Sequence, residues 1–173
     1  MTSIEQPILS VKNKISLIAE ECIGMPVQKY IPENENVFQG NKFNGCVAFI
    51  KFVLIGSGVP IPDFIGPDRV QRPINHVNEF FDHFGINVPY GNQQDGDLIF
   101  FSWDGNRPLH VGIVTNEDYY IHGHTKKGAV SKNKIAIYPI KTGVTNPVYT
   151  LNPIGFKRPT LATGNTRWFQ KTI

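Results

Sequence analysis

Apolar residues near the start of the chain recur with the period of a helix. Ile15, Ile18, Ala19 and Cys22 stand at i, i+3, i+4 and i+7, so residues 11–23 are predicted to form an amphipathic helix with one buried stripe. Gly24 and Pro26 stop it. Residues 30–44 are polar and Asn-rich without periodicity, the pattern of a loop. The run from Cys46 to Ile55 is almost wholly apolar, and periodicity alone leaves it open between strand and helix. Its length, and the stop Gly56-Ser57-Gly58, favour a buried helix. Pro60, Pro62 and Pro67 predict a rigid connector. A further helix is expected within residues 68–84, starting in earnest after Pro73, with Val77, Phe80, Phe81 and Phe84 as its apolar face and Gly85 as its end.

Beyond Tyr90 the period changes to that of strands. Residues 97–103 predict the first, with a turn at Asp104-Gly105-Asn106, and residues 109–115 the second, with a turn at Asn116-Glu117-Asp118. Residues 119–124 follow as the third, then Lys126-Lys127-Gly128, then residues 134–140 as the fourth and 153–157 as a fifth. Turns this closely spaced imply an antiparallel meander. Helices first and strands afterwards give an α+β class, with the Cys46 helix packed on a curled sheet of about five to six strands. One domain is expected over residues 1–173, its core at about 11–158 and a tail at 159–173 whose Trp168 and Phe169 either bind a partner or, the favoured reading, dock back onto the core.

Composition narrows the picture only modestly. With 173 residues the chain has room for its own core, and 40% hydrophobic with 18% charged residues is ordinary for a globular domain. The 16 glycines and 13 prolines fit short elements joined by turns. A formal charge of +3 comes from scattered lysines and arginines, so no basic stripe points to nucleic acid. Two cysteines, Cys22 and Cys46, do not make a disulfide framework, and Cys22 falls on the core face of its helix as a small inert hydrophobe. No stretch approaches a transmembrane span, and the N-terminus has no basic region leading into an apolar run. Synthesis as a cytoplasmic protein is expected, with any export or delivery by a non-Sec route and with an immunity or delivery partner unspecified.

Chemistry gathers around Cys46, His110 and His122. One thiol followed by two histidines is the inventory of a nucleophile, a base and a group that orients the base. Cys46 in the first turn of a helix meets unpaired N–H groups and the helix dipole, which favour a thiolate. His110 opens one predicted strand and His122 lies in the next, and their even numbering allows both to face one side if no bulge intervenes. Blander readings compete at each position. An apolar run can open on an inert core thiol, and a strand histidine is often structural. His122 with His124 has the spacing of a metal pair but lacks further ligands, and His76 with His83 reads as ordinary helix histidines. No metal or organic cofactor is implied. Asp95-Gly96-Asp97 alone is a turn.

Several segments resemble the NlpC/P60 family of cell-wall cysteine peptidases. Asp95-Gly96-Asp97-Leu98-Ile99-Phe100-Phe101 resembles its GDLVFF segment, His110-Val111-Gly112-Ile113-Val114 its HVGIY strand, and Tyr120-Ile121-His122 its FIHA segment. Ile23-Gly24-Met25-Pro26 is similar to the LGTPY end of its first helix, and Gly155-Phe156-Lys157-Arg158 to its final strand. The resemblance implies a papain-like α+β fold, with Cys46 as nucleophile, His110 as base and His122 as orienting residue. It implies hydrolysis of an amide in peptidoglycan stem peptides, such as a D-glutamyl–diamino acid bond, and a divergent branch. The order of the three residues argues against the permuted acyltransferase branch. Gly45-Cys46-Val47-Ala48 stands where the family has DCSG, Val27 replaces a tyrosine with Tyr30 following shortly, and Phe38-Gln39-Gly40 is all that answers to WGG. Tyr30, Gly45 and Trp103 are the candidate substrate-binding residues, Gly45 because it lets the backbone approach closely. Two alternatives stay open: an inactive relative that binds without cleaving, and a thiol amidase or acyltransferase acting on an amide outside the cell wall.

Overall fold

The computed structural model describes residues 10–26, 29, 45–66, 69–102, 105–116, 118–124, 128–136 and 152–160. Helix α1 (Val11–Glu21) starts at Ser10, whose hydroxyl accepts the Asn13 N–H, and its stripe of Ile15 and Ala19 is buried, with Cys22 just beyond. Gly24 then turns the chain at φ +82°, a conformation that favours glycine. Helix α2 (Gly45–Gly56) is the buried helix the apolar run predicts. Among the described residues no helix is long and apolar enough to cross a membrane.

The expected rigid connector instead carries a small hairpin, β1 (Asp63–Ile65) with β2 (Gln71–Pro73). Strands of three residues are too short for a period-2 signal. Helix α3 (Val77–His83) is shorter than expected because Glu79 fixes its start. The Glu79 carboxylate accepts the N–H groups of Asn75 and His76, closing the first turn there. It also takes two bonds from Arg72, which ties α3 to β2. The neighbouring histidines are structural: His76 is the N-cap residue, and His83 stacks on Phe64 with ring centroids 5.2 Å apart.

Six strands make the main sheet: β3 (Ile86–Val88), β4 (Leu98–Ser102), β5 (His110–Thr115), β6 (Tyr119–His124), β7 (Ala129–Lys134) and β8 (Asn152–Arg158). Every neighbouring pair is antiparallel, in the order β3-β8-β4-β5-β6-β7. The meander expected from the turns therefore holds for β4 to β7 only. The last strand returns to the other side of β4, where β3, which has no expected counterpart, closes the edge.

One sheet face, with Leu98, Phe100, Val111, Ile113 and Ile121, packs on Phe49, Ile50 and Val53 of α2 and Phe80 of α3. The other carries Val88, Ile99, Phe101, Val114, Tyr120 and Phe156. Strand β4 is thus buried on both faces, the reason its sequence is a continuous apolar run rather than an alternation. Strand β7 lies at 129–134, not at the expected 134–140. As an edge strand it is polar, and the apolar residues that follow it drew the expectation downstream. Residues 137–140 and the tail from 161 on, including Trp168 and Phe169, lie outside the described residues.

Asp97 locks β8 in place. The side chain is wholly buried, and Arg158 grips it bidentately, Nε to Oδ1 and Nη2 to Oδ2, both at 2.9 Å. Oδ2 also accepts the Gln94 N–H, and the Asp97 carbonyl accepts the Val114 N–H. So Asp95-Gly96-Asp97 is a turn, as expected from the residues alone, and also the anchor of the final strand.

Candidate active site

Helix α2 is apolar nearly all round, so it is driven under the sheet, with Gly45, Cys46, Val47, Phe49, Ile50, Val53 and Leu54 buried. This presents its first turn, and with it Cys46, to the junction of β5 and β6. The sheet has an opening there. Pairing of β5 with β6 runs from Thr115↔Tyr119 through Ile113↔Ile121 and then stops. Val114 donates its N–H to Asp97, just before β4, so by the alternation of an antiparallel ladder the Val111 N–H points towards β6, beyond the last pair. That N–H acts on Cys46 Sγ, together with those of Val47 and of Cys46 itself, and each favours the ionised sulfur. The sulfur meets β5 edge-on, at the residue directly after His110.

These donors favour a thiolate, as the helix start predicts, but they do not prevail. Burial pushes the Cys46 thiol up to about 11, against the pull of the three N–H groups. At rest the proton sits on sulfur. The thiol is therefore expected to alkylate slowly at neutral pH, at a rate still climbing above pH 9. Iodoacetamide labelling followed by mass spectrometry checks this, and a plateau below pH 8 would contradict it. The sign for stability follows. An unfolded thiol ionises near its ordinary 9.0, so this contribution to folding is whole below pH 9 and is lost as pH rises through about 11.

His110 and His122 come together as their numbering allows. His110 Nε2 lies 2.7 Å from His122 Nδ1, with the rings edge to face at a centroid distance of 4.7 Å. By the β5–β6 register Gly112, not His110, is the residue opposite His122, and the two rings reach each other diagonally across it. A Cβ on Gly112 would meet Tyr120 Cδ2 at 2.8 Å, the Ile121 carbonyl oxygen at 3.0 Å and His122 Cβ at 3.5 Å, so this position is kept bare for the pair. Phe101 and Tyr120 bed the two rings, Phe101 6.0 Å from His110 and Tyr120 5.0 Å from His122 between centroids. His122 is nearly inaccessible at 3% exposure, and its second nitrogen is also engaged. Nε2 lies 2.6 Å from Asn133 Nδ2 and 3.3 Å from Ser131 Oγ.

Gly45 is buried as the first residue of α2. Tyr30 and Trp103 lie outside the described residues. Cys22 is buried and free, like Cys46, and burial followed by the charge of Glu21 raises its thiol. No cluster of three or more metal-ligating side chains occurs among the described residues. Sequence reasoning missed Gly112, Ser131 and Asn133. Only the strand assignment could have found the last two, and it placed β7 too far along the chain.

Comparison with known proteins agrees with this architecture. The family model described as NlpC/P60 family matches residues 36–149. A curated protein of Haemophilus influenzae named "Probable endopeptidase" is 38% identical over a 66-residue alignment, covering 30% of this chain and 41% of that protein. Among solved structures, an NlpC/P60 family protein from Bacillus cereus superposes with a TM-score of 0.55 at 20% identity, covering 88% of this chain and 41% of that one. The peptidoglycan hydrolase RipB from Mycobacterium tuberculosis does so with a TM-score of 0.53 at 19% identity, covering 86% and 64%. The chain spans about two fifths of the length of the Haemophilus and Bacillus relatives.

Proposed function

Because this chain belongs to the NlpC/P60 family, we propose that it is a cysteine hydrolase that cleaves an amide of peptidoglycan stem peptides through Cys46, His110 and His122. Two observations near the start of β5 support the reading. The Val111 N–H acts on the Cys46 sulfur, and His110, the residue that precedes Val111, has its ring nitrogen 2.7 Å from that of His122.

In this reading His110 takes the thiol proton as Cys46 attacks the carbonyl carbon, so a sulfur that is neutral at rest is ionised only along the reaction coordinate. The tetrahedral oxyanion is met by N–H groups at the start of α2, that of Cys46 foremost. His110 then protonates the departing amine, leaving a thioester on Cys46. Water, activated by the same imidazole, releases the acid and restores the thiol. His122 holds the ring of His110 throughout. Gly45, Tyr30 and Trp103 are assigned to the substrate cleft, and a D-glutamyl–diamino acid bond is the proposed scissile amide. The name of the Mycobacterium tuberculosis neighbour supports the choice of a cell-wall substrate.

Mass spectrometry of purified sacculi and free stem peptides after incubation tests this. New amine and carboxyl termini are expected with the wild type and none with Cys46→Ser. Intact stem peptides in both would end the cell-wall reading. One observation favours a second reading, a module that binds without cleaving: the thiol is buried and pushed up to about 11. An electrophilic amide probe that labels neither the wild type nor Cys22→Ala would select it.

A further inference from the structure

His122 can steady His110 in a useful way only if its own proton is on the correct nitrogen. The contacts on β7 decide that. Ser131 lies opposite His122 in the β6–β7 register and Asn133 opposite Tyr120, so both side chains leave the sheet on the face that carries the two imidazoles. Each reaches His122 Nε2, at 3.3 Å and 2.6 Å.

The hydrogen bonds form a chain of four side chains, and a chain has a direction. As placed, Asn133 offers Nδ2 to His122 Nε2. The amide then donates, His122 carries its proton on Nδ1, and that proton is donated to His110 Nε2. A neutral His110 is left with its proton on Nδ1, and that nitrogen cannot accept another. Turning the Asn133 amide by half a turn reverses every bond. Oδ1 accepts from His122 Nε2–H, Nδ1 of His122 accepts from His110 Nε2–H, and Nδ1 of His110 is left unprotonated. The Ser131 hydroxyl donates or accepts, so it fits either direction.

We propose that Asn133, seconded by Ser131, is a positioning residue that sets the tautomer of His122 and so decides whether His110 is competent as a base. This rests on the assignment of His110 as the base, but the tautomers are readable without any activity. The test is a long-range 1H–15N spectrum of protein labelled at histidine, beside kcat and KM on a stem peptide. In the wild type and Asn133→Asp, whose carboxylate only accepts, both His110 and His122 are expected with the proton on Nε2. Asn133→Asp should also shift the acid limb of the pH profile to higher pH, because a negative charge stabilises the imidazolium. Asn133→Leu should move His122 towards the Nδ1–H form and lower kcat about 10- to 100-fold with KM within about twofold. That is short of the ~10^4-fold cost of a misplaced tautomer in a Ser-His-Asp triad, since Ser131 remains. If tautomers are unchanged in Asn133→Leu, the proposal is overturned, whatever happens to kcat. If they move while the wild type cleaves no peptide, the relay stands and the hydrolase reading fails.

Discussion

Alanine at His110 is expected to lower amide cleavage by about 10^4- to 10^6-fold, the range seen when one member of a nucleophile–base pair is removed. The large figure follows from the state of the sulfur. A thiol held at about 11 supplies little thiolate at neutral pH, so without an acceptor the attack stalls at its first proton transfer. Stability should change far less. His110 is only partly buried, and its ring rests on Phe101 and His122 rather than within the main core. Single-turnover release of amine from a stem peptide, beside thermal melts of both proteins, separates the two effects. A loss under tenfold would remove His110 from the chemistry. His122→Ala should fall between the wild type and His110→Ala, because the base survives but is no longer held.

The second large effect concerns folding. Arg158→Ala is expected to destabilise the protein by about 3 kcal/mol, the lower end of the range for breaking a buried ion pair. The Asp97 carboxylate is wholly inaccessible, and Arg158 supplies two of the three hydrogen bonds described on its oxygens. Removing the guanidinium leaves a buried charge with the Gln94 N–H. The lower end applies because the Arg158 side chain is 23% exposed, so water can enter in its place. The same change frees β8, on which β3 pairs, from the start of β4. Urea unfolding at neutral pH checks the figure, and Arg158→Lys, which keeps the charge without the fork, should lie in between. A midpoint unchanged by Arg158→Ala would show that β8 is held by its ladder alone.

Much of this was legible in the sequence, for particular reasons. The stripe of α1, the run of α2 and the limits of β6 follow from periodicity and from glycines at their ends. Cys46, His110 and His122 stood out as candidates because a thiol and two imidazoles in that order are scarce. What escaped notice had no apolar signature. β1, β2 and β3 are three residues each. Strand β7 reads Ala-Val-Ser-Lys-Asn-Lys because its side chains serve other groups: Lys132 reaches Glu20 of α1 at 2.6 Å, and Ser131 and Asn133 reach His122. The shortness of α3 lay hidden in Glu79, whose role depends on Arg72 from another element. Gly112 carries no signal of its own, because the need for a bare position arises only once two strands are laid side by side.

The parting of β5 from β6 gives the sulfur a second occupation. Where a neighbouring strand would supply a carbonyl, the Val111 N–H acts on the sulfur of a helix residue instead. Any group attached to that atom would thus be felt directly in the main chain of the sheet.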